Sequence, residues 1–311
     1  MRKQDVTLLA CSFGGIAAGI CLPFLAEPLS WLPRASMLTI LFISFLSIDA
    51  REVWQNLIHY PLAVVLLVVL KLFIMPLVCW GAFYLLLPEY ALGASLIGGS
   101  ATAVFAPFFA FMVKADFVLT MLGLVATSLL LPLTLPAMLA FVGTLAEVEG
   151  GINVELPVLD MMLNLTLMLL LPFIGAQILR KAGPALSEKI LNCRPVLTLF
   201  AAGAVNIVIF GRYSDVILAS PQSVLVALAA SVLVTAVLFV GAAAVTFWLP
   251  PPKQLAFVIS CVAVNGVLAI IISIDYFSAP EALLAAMYTA PFFASVPCVR
   301  KLGQLRGHDP A

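Results

Sequence analysis

The residues that could do chemistry in this chain are few, and they sit in hydrocarbon. Lys71 is the only charge in PLAVVLLVVLKLFIMPLVCWGAFYLLL, residues 61–87. At about 1.5 Å per helical residue, these 27 residues span the roughly 30 Å apolar layer of a bilayer with some tilt. A charge near the bilayer centre costs at least about 2.5–3.5 kcal/mol, which points to a polar site inside a helix bundle. The bland alternatives are a lysine snorkelling to the interface, or one balancing Asp49 or Asp160 on a neighbouring helix. Lys71 lies ten residues from the nearer end of its run, about 15 Å, beyond easy snorkelling reach. Other polar groups in apolar surroundings are Ser260 and Asn265 in LAFVISCVAVNGVLAIIISI, and Gly98, Gly99, Ser100, Thr102 and Pro107 in ALGASLIGGSATAVFAPFFAFMV. Thr120, Thr127, Ser128, Asn164 and Asn206 complete the set.

Several chemistries are excluded by what is missing. The six cysteines are scattered singly with no metal spacing, and the two histidines sit at a span end and near the C-terminus. Zinc sites and histidine-activated nucleophiles therefore have no raw material, and an intramembrane enzyme would lack a nucleophile–base pair. The glycines at 98–99 lack the GK[ST] of a phosphate loop. Net charge is zero, with no basic patch to argue for nucleic acid. The chain is expected to be no enzyme and to carry no cofactor.

The elements that must position these residues are membrane spans. Of 311 residues, 64% are hydrophobic and 10% charged, whereas a soluble domain carries about a quarter charged. Hydropathy predicts ten spans: 6–26, 32–48, 61–87, 91–113, 117–143, 157–179, 195–211, 223–249, 255–274 and 280–299. The opening MRKQD and its apolar run read as an uncleaved first helix rather than a signal peptide. With both termini cytoplasmic, the inner segments hold Arg2, Lys3, Arg51, Lys114, Arg180, Lys181, Lys189, Arg194, Lys253, Arg300, Lys301 and Arg306. The outer segments hold Arg34 and Arg212 alone, the bias that the positive-inside rule demands.

Ten spans divide into two sets of five around an acidic outer loop at 144–156, so the second set enters the membrane from the opposite side. Inverted repeats of this kind put their sites at the midplane, where helices are interrupted. The fourth span of each half is the one expected to break. Pro107 removes a donor and crowds the preceding turn, freeing carbonyls that need internal partners.

KLFIMP at 71–76, Trp80, Pro88-Glu89, the glycine-rich span ending Lys114-Ala-Asp116, LLLPLTLP at 129–136, LLLPFIGAQILRK at 169–181 and VNGVLA at 264–269 together resemble the bile acid:sodium symporter family. The resemblance covers roughly residues 32–295. It implies an all-α polytopic membrane protein of ten helices in two inverted five-helix repeats, with helices 4 and 9 unwound where they cross. Panel-type helices 1, 2, 6 and 7 would come from 1–60 and 157–211. Core-type helices 3–5 and 8–10 would come from 61–143 and 223–299, leaving 300–311 as a cytoplasmic tail. The implied activity is carriage of a small organic anion across a bacterial inner membrane, so the lipid bilayer and that anion are the expected partners.

The departures from the family pattern bear on the coupling ion. Helix 4 of sodium-coupled members lends a Ser and an Asn to sodium; the aligned residues here are Ala106 and Pro107. Helix 5 lends a Ser and a Thr, here Thr120 and Leu124; helix 9 lends a shared Glu and a Gln, here Ser260 and Val264. The Gln that helix 3 supplies aligns with Lys71. Sodium coupling is therefore expected to be weakened or absent. Lys71 could stand in for the cation, bonding unwound-helix carbonyls and Ser260 or Asn265. It could instead release its proton during the cycle, or bind a substrate carboxylate. Two other outcomes stay open: a proton-coupled or facilitative organic-acid exporter, and a receptor of the same fold that does not transport. For the weaker candidates the structural reading competes throughout: Asn164 and Asn206 could line the cavity, Thr120, Thr127 and Ser128 could bond their own helix, Gly98, Gly99 and Pro107 could only shape theirs, and Phe108, Phe109 and Phe111 pack or face lipid.

Overall fold

A bilayer core offers no water to backbone groups, so a chain this apolar must close its hydrogen bonds within helices. The computed structural model describes residues 14–48, 50–148 and 157–308, and every regular element among them is helical. In chain order the first helices are α1 (14–21), α2 (Leu32–Leu46), α3 (Ala50–His59) and α4 (Pro61–Val69), which passes through a π-helical turn at Leu70–Ile74 into α5 (Met75–Leu86). Then come α6 (Ala91–Gly99), α7 (Ala106–Met112), α8 (Phe117–Val148), α9 (Val158–Ala182), α10 (Pro184–Asn192), α11 (Arg194–Arg212) and α12 (Ser214–Ala219). The last are α13 (Pro221–Val245), α14 (Pro251–Val262), α15 (Gly266–Tyr276), α16 (Ala279–Met287) and α17 (Thr289–Leu305).

Among the described residues, five stretches are long and apolar enough to cross a membrane: Pro61–Leu86, Phe117–Leu145, Val158–Ala182, Gln222–Val245 and Ala279–Leu305. The spans 91–113 and 255–274, the two expected to break, are each split in two, by unwound residues 100–105 and 263–265. The expected span 32–48 is a helix of 15 residues. Parts of the first expected span, the loop at 144–156 and the tail lie outside the described residues, as does Asp49. The described part of the tail begins as a continuation of α17. Large apolar side chains at helical spacing stay exposed along α9, among them Leu159, Leu163, Leu167, Leu171, Ile174 and Ile178, as a lipid-facing stripe requires.

The chain forms two compact units. One comprises residues up to Ala50 with Leu167–Leu225, the other Arg51–Thr166 with Val226–Ala311. In the first, α1 packs on α11 through small residues. A Cβ on Gly15 would stand 2.6 Å from the Gly203 carbonyl oxygen, and one on Gly19 would stand 2.6 Å from that of Ile207. Where lipid removes the hydrophobic drive between helices, such close backbone approach supplies the dispersion contact that holds them. The Gln177 side-chain amide, at the other end of this unit, donates to the carbonyls of Phe45 and Ile48 where α2 runs out.

In the second unit α6 lies on α5, α8 packs against both, and α14 packs on α8 and on the π turn. Its contacts again depend on glycine: a Cβ on Gly98 would meet the Met75 carbonyl oxygen and the Pro76 Cα, both at 3.0 Å. Gly123 receives the Leu67 side chain in the same way. The unit's end near residue 308 is tied down by Arg306, which donates to the Leu249 carbonyl at 3.0 Å and covers the Phe247 ring, and by His308 against the Lys114 carbonyl.

Gly19→Ala puts a methyl where backbone stands and should cost about 1–3 kcal/mol, the usual penalty of overpacking. Gly81→Ala, whose Cβ would enter open space, should be neutral or stabilising through helix propensity. Thermal unfolding of the two variants in detergent checks this ordering.

Candidate transport site

Lys71 owes its setting to the proline five residues on. Pro76 has no N–H to give the carbonyl of Leu72, and its ring crowds that carbonyl. The helix absorbs the defect as one wider turn, Leu70–Ile74, which the Met75 N–H closes by donating to the Leu70 carbonyl. Single π turns of this kind recur at functional sites. In this turn Lys71 is 0% exposed. Snorkelling is thereby ruled out, and Asp160, itself exposed on α9, does not balance it.

Lys71 points into the place where two interrupted helices meet. Residues 100–105, between α6 and α7, run antiparallel to 263–265, between α14 and α15, with Thr102 opposite Val264. Ala103 N–H donates to the Ala263 carbonyl at 2.6 Å, and Asn265 N–H donates to the Ala101 carbonyl at 2.9 Å. Each stretch thus satisfies backbone groups the other has freed by leaving its helix.

The carbonyls at the end of α14 are the larger debt, since the last four of any helix lack intrahelical partners. All four are met. Ile259 accepts from Ala263 N–H at 2.7 Å, and Ser260 accepts from the Thr102 hydroxyl at 3.0 Å. Cys261 accepts from the Lys71 ammonium at 2.9 Å. Val262 accepts from the Tyr288 hydroxyl at 2.7 Å and from Val264 N–H. Three successive carbonyls are capped by side chains from three other stretches of chain. The cation among them faces the negative end of the helix dipole, where positive charge is stabilised.

The remaining candidates fall around this knot. Thr127 accepts from Thr102 N–H at 3.1 Å and donates to the Gly123 carbonyl in its own helix. Thr120 donates to the Asp116 carbonyl, and Ser100 to that of Leu96, each within one turn. Ser128 is buried beside Thr127, as is Leu124 one turn earlier on α8. Gly98 and Gly99 press on Pro76 and carry no ligand-facing group. Ala106 and Val264 are buried without side-chain polarity.

Two expectations change in detail. Lys71 bonds neither Ser260 nor Asn265: the Ser260 hydroxyl is buried with no partner, and the Asn265 side chain caps α15 by accepting from Leu268 N–H. Pro107 does not free a carbonyl inside a helix, because it stands in the first turn of α7, where its missing N–H would be unpaired anyway. Asn164 donates to the Tyr276 hydroxyl at 2.7 Å. Asn206 is buried in the other compact unit. Phe109 packs on Phe292 and Phe293, while Phe108 and Phe111 are exposed.

The family model for sodium bile acid symporters matches residues 35–220, more than half the chain. The protein belongs to the sodium bile acid symporter family. It is accordingly an integral membrane protein of a transporter family. No curated protein matches its sequence significantly. The family match ends before α14, so the capping of that helix is read from this chain's own geometry.

Tyr288 went unnoticed in the sequence. Its signal was available: a tyrosine in an apolar span needs a partner for its hydroxyl. The Cys261 carbonyl, being backbone, left no trace at all.

Thr102→Val keeps the shape and removes the donor to Ser260. Leaving that buried carbonyl unpaired should cost about 1–3 kcal/mol of stability, and Thr102→Ser should recover most of it. Thermal unfolding of both variants, compared with the parent, measures the difference.

Proposed function

We propose that this protein is a secondary transporter of a small organic anion, working by alternating access at the crossing of the two interrupted helices without a sodium ion. Ten spans in two inverted five-helix repeats, with cytoplasmic termini and a bacterial inner-membrane location, complete the reading. The charge bias of the loops and the family membership support it.

One observation carries it: the Lys71 ammonium bonds the Cys261 carbonyl at the crossing. On the resemblance set out above, Lys71 falls where helix 3 of sodium-coupled members supplies a glutamine. A tethered ammonium there provides the positive charge and the donor that a bound sodium would have to bring. The neighbouring positions argue the same way, since Ala106, Pro107, Leu124 and Val264 offer no side-chain oxygen and a hard cation needs several oxygen ligands.

The open side of the crossing suits the substrate. Asn265, Gly266 and Val267 are partly buried rather than sealed, and a Cβ built on Gly266 would enter empty space. The first amides of α15 therefore face room, with the positive end of an 11-residue helix behind them, a setting that favours an anion. Lys71 itself is sealed and occupied, so it acts on the substrate through charge rather than by contact.

Uptake of labelled organic acids into proteoliposomes should be equal in sodium and in choline. A steep, saturable sodium requirement overturns the reading. Lys71→Gln, which keeps a donor but loses the charge, should abolish transport without conferring sodium dependence. Normal transport by that variant would reduce the lysine to a structural role.

A further inference from the structure

Replacing a sodium by a lysine changes more than a ligand, because a sodium leaves with the substrate and a lysine cannot. Among the described residues the buried charged side chains are Lys71 and Glu281. Glu281 has a fixed duty: its carboxylate accepts from the Ser278 N–H at 3.2 Å and from the Ser278 hydroxyl at 2.7 Å, closing the first turn of α16. It lies against Gly93, at the start of α6 and next to the Pro88–Tyr90 turn that follows the long span Pro61–Leu86. That position is toward a membrane face, where little of the field is crossed. The crossing itself is lined by neutral groups: Ser100, Thr102, Thr127, Asn265 and the unpartnered hydroxyl of Ser260. Among the described residues, its one fixed charge is the ammonium held at the end of α14.

The membrane field does work on every charge carried across it. We infer that the empty crossing moves through the field as a cation and the crossing loaded with a monovalent anion moves as a neutral unit. This rests on the sodium-free reading above and extends it to the driving force. Net transport then runs outward under an inside-negative potential. The anion binds inside, the neutral complex turns outward, and the emptied cationic site is drawn back in by the field. Uptake reverses these steps and must push the cation outward against it. Exchange of one monovalent anion for another uses the neutral form in both directions and is indifferent to voltage. The lysine thus assigns voltage dependence to the step in which no substrate is bound.

The step can be measured without knowing the substrate. The full-length protein is reconstituted in planar bilayers free of sodium and organic anions, and the potential is stepped. The expected signal is a transient current whose integrated charge saturates at both extremes, reaching up to about one elementary charge per molecule. Lys71→Gln should abolish it and Lys71→Arg should retain it. Ser260→Asp, which adds a carboxylate beside the ammonium, should diminish it in a protein that still has its lysine. Thermal unfolding verifies that each variant is folded. No transient from the folded parent protein, or an undiminished one from folded Lys71→Gln, overturns the inference. Sodium-independent uptake with no transient sinks this inference alone. A sodium requirement with the transient intact sinks the sodium-free reading and the neutral loaded unit that rests on it, and leaves the cationic empty crossing standing.

Discussion

An interrupted helix in a membrane leaves carbonyls that nothing nearby can satisfy, and this structure is arranged around one such set. The end of α14 presents four of them in a region closed to water. Each unpaired group there would cost several kcal/mol. The solutions come from far apart in the chain: a main-chain amide from the break itself, Thr102 from the other break, Lys71 from the π turn and Tyr288 from the joint between α16 and α17. The capping therefore welds the unwound segments to the long spans on either side. The same bonds that pay the polar debt fix the geometry of the crossing.

Charge enters as part of that solution. A neutral donor would satisfy the Cys261 carbonyl, yet the chain uses an ammonium and buries it completely. Such a cation is expensive unless something in its surroundings is negative. Here the compensation is the negative end of the α14 dipole, with no carboxylate required. The unpartnered Ser260 hydroxyl is consistent with that economy: the position offers no charge of its own, so the lysine is the crossing's electrostatic signature. Under the proposed function an anionic substrate completes the balance, which links the geometry to that reading.

Close approach of backbones makes the arrangement possible. Gly98 allows α6 to reach the start of α5, where Pro76 forces the π turn, and Gly15 and Gly19 do the same for α1 and α11. In lipid these contacts replace the hydrophobic drive that would hold helices together in water. Apolar surface is left to face the bilayer, as along α9.

By itself the sequence determined that the chain is helical and membrane-embedded, pointed Lys71 toward an interior partner, and marked the spans holding Gly98–Thr102 and Ser260–Asn265 as the ones to be interrupted. These follow from local quantities: the length of an apolar run, the cost of a charge in it, and the backbone habits of glycine and proline. It also marked Thr102, which does reach across to α14. What only the tertiary structure decided is which atom each polar group meets. Lys71 bonds a carbonyl rather than the Ser260 or Asn265 side chains, Asn265 caps its own helix, Pro107 opens one, and Tyr288 joins the site. Backbone carbonyls are identical in every residue, so a sequence cannot say which of them are left open. That depends on where two helices stop, and on which side chains the packing of other helices brings within 3 Å of the gap.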